Sequence, residues 1–224
     1  MSWVTVIWSM VAAACLTLAL GNGLVWLRRR EARAHGLLAL LAVATALLAT
    51  FELWMMRAET AGEYGLALRW HHVPGWIVVV SLIGFVRLYL RAGRPWLAWA
   101  VCGVRTLSLI LNFVLTPNLN YREITALRHI RFLGESVSVA EGVRNPWMLV
   151  GQTSFLLLVI FVVDAVLAVW RRGDRRQALS VGGAIIFFAV AGTGQVILVL
   201  WGIIAMPLTT SLFFLGIVAP LVSK

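Results

Sequence analysis

Seven long apolar runs, broken by short charged segments, constrain this sequence more than any other feature. A bilayer's hydrocarbon core is crossed by a helix of about 20 residues. In lipid every backbone N–H and C=O must find its partner within the chain, so runs of this length become helices. The runs cover 3–27, 36–56, 71–90, 96–116, 147–170, 179–203 and 207–223. This predicts an all-α membrane protein, a single seven-helix bundle over 1–224 with the bilayer as its main partner. The last run is the shortest, barely a crossing at 1.5 Å per residue. The chain therefore reads as stopping in or just after its final helix, as if downstream cytoplasmic domains were absent.

Composition closes off the alternatives. Charged residues make up 12% of the chain and apolar ones 61%, with a mean hydropathy of +0.92. A water-soluble domain carries roughly twice that share of charge. The formal charge of +10 does not mark a nucleic-acid binder, because the basic residues punctuate the apolar runs instead of gathering on one face or arm. No cleavable signal peptide is evident, since the first run is too long and leads straight into Arg28-Arg29-Arg30. Cys15 and Cys102 lie in apolar runs at different depths and read as small core residues.

Counting Lys and Arg by loop gives the orientation. One side collects Arg28, Arg29, Arg30, Arg33, Arg91, Arg94, Arg171, Arg172, Arg175, Arg176 and Lys224, against the acids Glu31 and Asp174. The other side holds Arg57, Arg69, Arg122, Arg128, Arg131 and Arg144, diluted by Glu59, Glu63, Glu123, Glu135 and Glu141. The positive-inside rule then puts the N-terminus outside and the C-terminus in the cytoplasm, with tryptophans at the run ends forming interfacial belts. The one long connection, 117–146, lies on the outer side. There Ile130–Leu133 and Ser136–Ala140 flank Gly134-Glu135, a pattern that fits a small β-hairpin or an irregular loop.

Ionisable residues inside a span are costly and mark candidate sites. They are Glu52, Arg87, Arg105 and Asp164. Arg87, three residues from the end of its run, can snorkel to the interface. Arg105, Ser108, Asn112 and Thr116 recur at i, i+3, i+7 and i+11, one face of a helix that cannot face lipid. Similar estimated depths make Arg105 and Asp164 a candidate buried ion pair, either a fixed clasp between helices or a pair that opens on a signal. In the outer half, Glu52, Trp54, His72, Asn112, Gln152 and Gln195 form a candidate ligand-binding set, with His71 and Thr193 beside it. These groups fit a small-ligand pocket or interhelical hydrogen-bonding glue. Consecutive spans usually neighbour one another, so Glu52 and His72 are expected within reach of each other. The glycine pairs in 182–194 mark the sixth span as the one able to kink.

Catalytic readings find no support. A retinal protein needs a buried lysine, and the only lysine is Lys224. The zinc-protease motif H-E-x-x-H, phosphate-binding loops and dinucleotide fingerprints do not occur. No catalytic residues, cofactor, metal site or nucleic-acid partner is expected.

Eight stretches carry a resemblance: ELWMMRAET (52–60), RWHHVPGW (69–76), VRLYLRAGRPWLAW (86–99), NFVLTPNLNYREI (112–124), FLGESVSVAEG (132–142), NPWMLVGQ (145–152), WRRGDRRQA (170–178) and SLFFLGIVAP (211–220). Together they resemble the N-terminal seven-transmembrane sensory region of bacterial membrane histidine kinases, over nearly the whole chain. The resemblance implies a multi-pass receptor of the bacterial inner membrane whose seventh helix runs into cytoplasmic signalling domains. A homodimer through the kinase region follows from the same resemblance, whereas a small-molecule or lipid ligand of unknown identity follows from the outer polar residues read as a pocket. The phosphoacceptor histidine and ATP site of that family have no counterpart here, so no kinase activity is expected of this chain. A small carrier or channel is the alternative reading.

Overall fold

The computed structural model describes residues 2–214. Six helices in it are long and apolar enough to cross a membrane: α1 (Trp3–Arg28), α2 (Arg33–Arg57), α3 (Ala61–Tyr89), α4 (Pro95–Val114), α5 (Met148–Arg171) and α6 (Arg175–Leu200). Their outer faces expose Met10, Leu20, Leu24, Leu107, Ile110, Leu156 and Phe187, among others. An apolar belt of this extent is what a lipid solvent requires and water does not tolerate. These features point to a multi-pass membrane protein.

A seventh helix begins at residue 210 and is helical through 214; the rest of the expected seventh span lies outside the described residues. Its start falls three residues later than the run from Pro207, because 201–209 is an irregular connection.

The third run differs more. It was expected from residue 71, but α3 starts ten residues earlier. Thr60 accepts from the Glu63 N–H while the Glu63 carboxylate accepts from Thr60 N–H, a reciprocal capping box that starts the helix. The connection between α2 and α3 is therefore the short stretch 58–60, not a loop of about fifteen residues.

The helices pack in near-sequential order, α1 on α2, α2 on α3, α3 and α5 on α4, and α5 on α6. Among the described residues α1 lies at the edge and buries one stripe, Val4, Trp8, Val11, Cys15 and Ala19, at helical spacing. In α6, a π-helical stretch at Ala178–Gly182 precedes the regular helix. Gly182 there sits so close to α5 that an added Cβ would come 2.8 Å from Val166 Cγ2. Close approach is thus the role of at least one of the glycines in this span.

The 117–146 connection folds as a hairpin longer than its sequence pattern indicated, β1 (Tyr121–Phe132) and β2 (Glu135–Arg144). Leu133 and Gly134 both take positive φ, the geometry of a type I′ turn between antiparallel strands. Tyr121 and Ala140 join Tyr64, Met55, Val199 and Leu208 in a small apolar cluster under the hairpin. The hairpin caps the bundle end that also holds the N-terminus. Ser138 Oγ donates to Ala58 O at 2.7 Å, and Arg144 donates to Leu200 O and Trp201 O at 2.9 and 2.7 Å.

Glu135, at the hairpin turn, accepts from Ser2 Oγ at 2.6 Å and from Val4 N–H at 3.2 Å, and Arg57 bridges both sides. The Ser2 hydroxyl above all, with the N–H groups of Val4 and Trp3 and the Arg57 charge, holds the Glu135 carboxyl below the usual carboxylate range. A depressed folded-state pKa favours the folded form at neutral pH and loses that contribution as pH falls through it. The stability difference between the wild type and Glu135→Gln is accordingly expected to shrink as pH is lowered below about 4. Thermal unfolding in detergent between pH 7 and 3 measures this, and a difference that grows on acidification contradicts it.

Candidate functional site

A cavity lies between α3, α4, α5 and α6, lined on the hairpin side by Leu119, Asn120 and Leu208 among others. Its volume, traced by the centre of a water-sized sphere, is about 70 Å³. At roughly 10–15 Å³ per water on that measure, it has room for several waters or a small ligand. Its polar wall is His71 and His72 of α3, Arg105 and Ser108 of α4, Asn120, Gln152 of α5, Thr193 of α6 and Thr210 of the last helix. Its apolar wall includes Val78, Val79, Phe155, Leu158 and Phe188.

Arg105 is the centre of this arrangement. It is 5% exposed and its guanidinium lies over the Phe155 ring at 4.6 Å. Among the described residues it makes no hydrogen bond and no ion pair, so this cation stands in the bundle without an acid. Gly75 provides the space, since an added Cβ there would be 2.8 Å from Arg105 Nη2. Beside it the Gln152 side chain is oriented by Trp201, whose indole N–H donates to Gln152 Oε1 at 3.1 Å. Gln152 Nε2 is left buried without a partner, as is the Thr210 hydroxyl. His72 Nε2 stands 3.3 Å from Asn120 Nδ2.

The expected Arg105–Asp164 ion pair does not form. Asp164 instead takes the Arg94 Nε at 3.3 Å and the Arg94 backbone N–H at 3.2 Å. Asp164 lies at the basic end of the bundle, where the turn after α3 brings Arg94 to it, whereas Arg105 is held deeper by Phe155. With side-chain exposures of 65% and 28%, the Arg94–Asp164 pair is solvated, and such pairs contribute about 0–1 kcal/mol. Asp164→Asn is therefore expected to cost less than about 1 kcal/mol, and Arg105→Met with Asp164→Leu to be additive. Thermal unfolding of the single and double variants checks this; coupling above about 1 kcal/mol would contradict it.

The candidate ligand set divides. His72 and Gln152 line the cavity; Glu52, Trp54, Asn112 and Gln195 do not. Trp54 stacks on Phe51 and is 40% exposed, placing it at the bundle surface. Asn112 is a connector: its Nδ2 donates to Arg69 O at 2.9 Å and its Oδ1 accepts from Leu119 N–H at 3.2 Å. Gln195 holds the connection before the last helix, donating to Pro207 O at 2.8 Å and accepting from Thr209 N–H at 3.4 Å.

Glu52 has a structural post of its own. It is fully buried, and its carboxylate accepts from Trp8 Nε1 at 2.9 Å, Ser211 N–H at 3.0 Å and Ser211 Oγ at 2.5 Å. His71, not His72, is the nearest imidazole, with Nε2 3.9 Å from Glu52 Oε1. The reason is rotational: adjacent residues on α3 project about 100° apart, so His71 turns towards α2 and His72 towards α4. One carboxylate thus ties α1 and the last helix to α2.

The sequence reading assigned Arg105 to an ion pair with Asp164, fixed or opening on a signal, and missed it as the cation of the cavity. The stripe of Arg105, Ser108 and Asn112 was the available signal, because all three are buried on one face of α4. Among the described residues no three His, Cys, Asp or Glu side chains come together as a metal site. The chain matches no protein-family model, no curated protein and no solved structure.

Proposed function

We propose that this chain is the ligand-receiving membrane module of a bacterial signalling protein, of the kind its sequence resembles, with the arginine-rich end in the cytoplasm of the inner membrane. The observation that carries this reading is the make-up of the cavity wall. Leu208 and Thr210, where the last helix begins, form part of it alongside α3, α4, α5 and α6. A ligand in the cavity touches the start of that helix directly, and one that fits better in one of its positions shifts the population towards it. Gln195 on Pro207 and Thr209, and Glu52 on Ser211, give the helix a defined resting position from which to move. In this reading the module performs no chemistry and passes its signal through the seventh helix to cytoplasmic domains.

Flux separates this from a carrier or channel. In proteoliposomes holding gradients of potassium, chloride and succinate, a receptor leaves all three standing. Dissipation of any of them above protein-free liposomes would assign the chain to transport instead.

A further inference from the structure

The polar wall of the cavity has a surplus of donors. The Arg105 guanidinium carries five N–H groups, none of them bonded within the described residues. The Gln152 Nε2 and the Thr210 hydroxyl are buried and also unpartnered, as is His71 Nε2, which faces Glu52 at 3.9 Å. Gln152 cannot turn its oxygen inward without giving up the Trp201 N–H. No carboxylate lies among the lining residues to balance Arg105, and Glu52 is engaged by Trp8 and Ser211. A buried cation with no counter-charge is costly, and an anion taken up from outside relieves that cost. Planar guanidinium groups match carboxylates through paired N–H···O bonds.

The rest of the wall sets the shape of that anion. One helical turn from Gly75 lie Val78 and Val79, and one turn from Phe155 lies Leu158, facing Phe188 and Ala189. All are on the side of Arg105 away from the hairpin, so the wall below the guanidinium is apolar, while the wall above it mixes the polar groups with Leu68, Leu119, Met148, Val196 and Leu208. The volume of about 70 Å³ admits only a short chain there.

We propose that the cavity binds a small carboxylate bearing a short apolar chain, its head on Arg105 and Gln152 and its tail among Val78, Val79, Leu158 and Phe188. The proposal rests on reading the cavity as the receptor's ligand site and names the ligand's chemical class. The test is isothermal titration of the full chain in phosphatidylcholine nanodiscs, with empty nanodiscs as blank. The probes are hexanoate, its neutral analogue hexanamide and inorganic phosphate. Hexanoate is expected to bind saturably at one site per chain. Arg105→Met and hexanamide are each expected to weaken binding about 10- to 100-fold, the worth of a charge-assisted hydrogen bond. Gln152→Leu, which leaves the cation in place, is expected to weaken it by a smaller factor. Equal binding of hexanamide would overturn the anionic head while leaving the receptor reading intact, and binding of phosphate alone would overturn the carboxylate class. Hexanoate affinity unchanged in both variants, or no binding of any probe, would overturn the proposal. The receptor reading itself fails only on the flux measurement.

Discussion

Glu52→Ala is expected to destabilise the bundle by about 3–5 kcal/mol, because it leaves three buried donors without an acceptor. The Trp8 indole N–H and both Ser211 donors converge on this carboxylate in a fully buried setting. Each of these hydrogen bonds contributes about 0.5–1.5 kcal/mol, and each orphaned buried donor adds a desolvation cost of about 1–3 kcal/mol. Glu52→Gln keeps one acceptor oxygen and replaces the other with an amide donor, so it is expected to cost about half as much. Thermal or denaturant unfolding in detergent measures both. A Glu52→Ala effect below about 1 kcal/mol would mean the three donors find other acceptors.

The second large effect is expected at Gly93, in the turn joining α3 to α4. Its φ of +92° is one that residues with a Cβ rarely adopt, and an added Cβ would come within 2.6 Å of Phe161 Cε2. Phe161 is fully buried and cannot retreat. Left-handed backbone costs about 1–2 kcal/mol, and overpacking a filled core about 1–3 kcal/mol more. Gly93→Ala is accordingly expected to cost about 2–5 kcal/mol. Gly21→Ala is the control, since Gly21 lies inside α1 with nothing within 4 Å of the added atom. That change is expected to be neutral or to stabilise by up to about 1 kcal/mol. Equal losses at the two positions would show that the turn at Gly93 yields.

The sequence was a good guide wherever lipid imposed the answer. Apolar length alone locates α1, α2, α4, α5 and α6 to within a few residues, because a helix is the one way to satisfy backbone groups in hydrocarbon. It failed at α3, whose first turns carry Glu63 and Arg69 and so break the apolar run. The signal there was Thr60 with Glu63 three residues on, a capping box that apolar counting passes over. The site was less legible. That Glu52, His72, Arg105 and Gln152 lie in the bundle follows from their place in apolar runs. Which of them meet depends on helix rotation and on where each helix starts. Both histidines line the cavity, but apolar counting does not report the rotation that turns His71 towards Glu52 and His72 towards Asn120. Arg105 looked like a partner for Asp164 because depth was the only coordinate available, and depth does not report that Arg94 reaches Asp164 first.

The carboxylate of Glu52 also sets a timetable for assembly. Glu52 and Ser211 are 159 residues apart, and chains grow at about 5–20 residues per second from the N-terminus. For roughly ten to thirty seconds of synthesis, Glu52 has been made while two of its three donors have not. Trp8 is the one donor already synthesised, and it lies on the edge helix α1, which packs mainly on α2. The nascent bundle thus carries an unfinished acid until its final helix arrives. A chain that stalls before Ser211 leaves Glu52 with Trp8 alone of its three donors, whereas a finished one satisfies it.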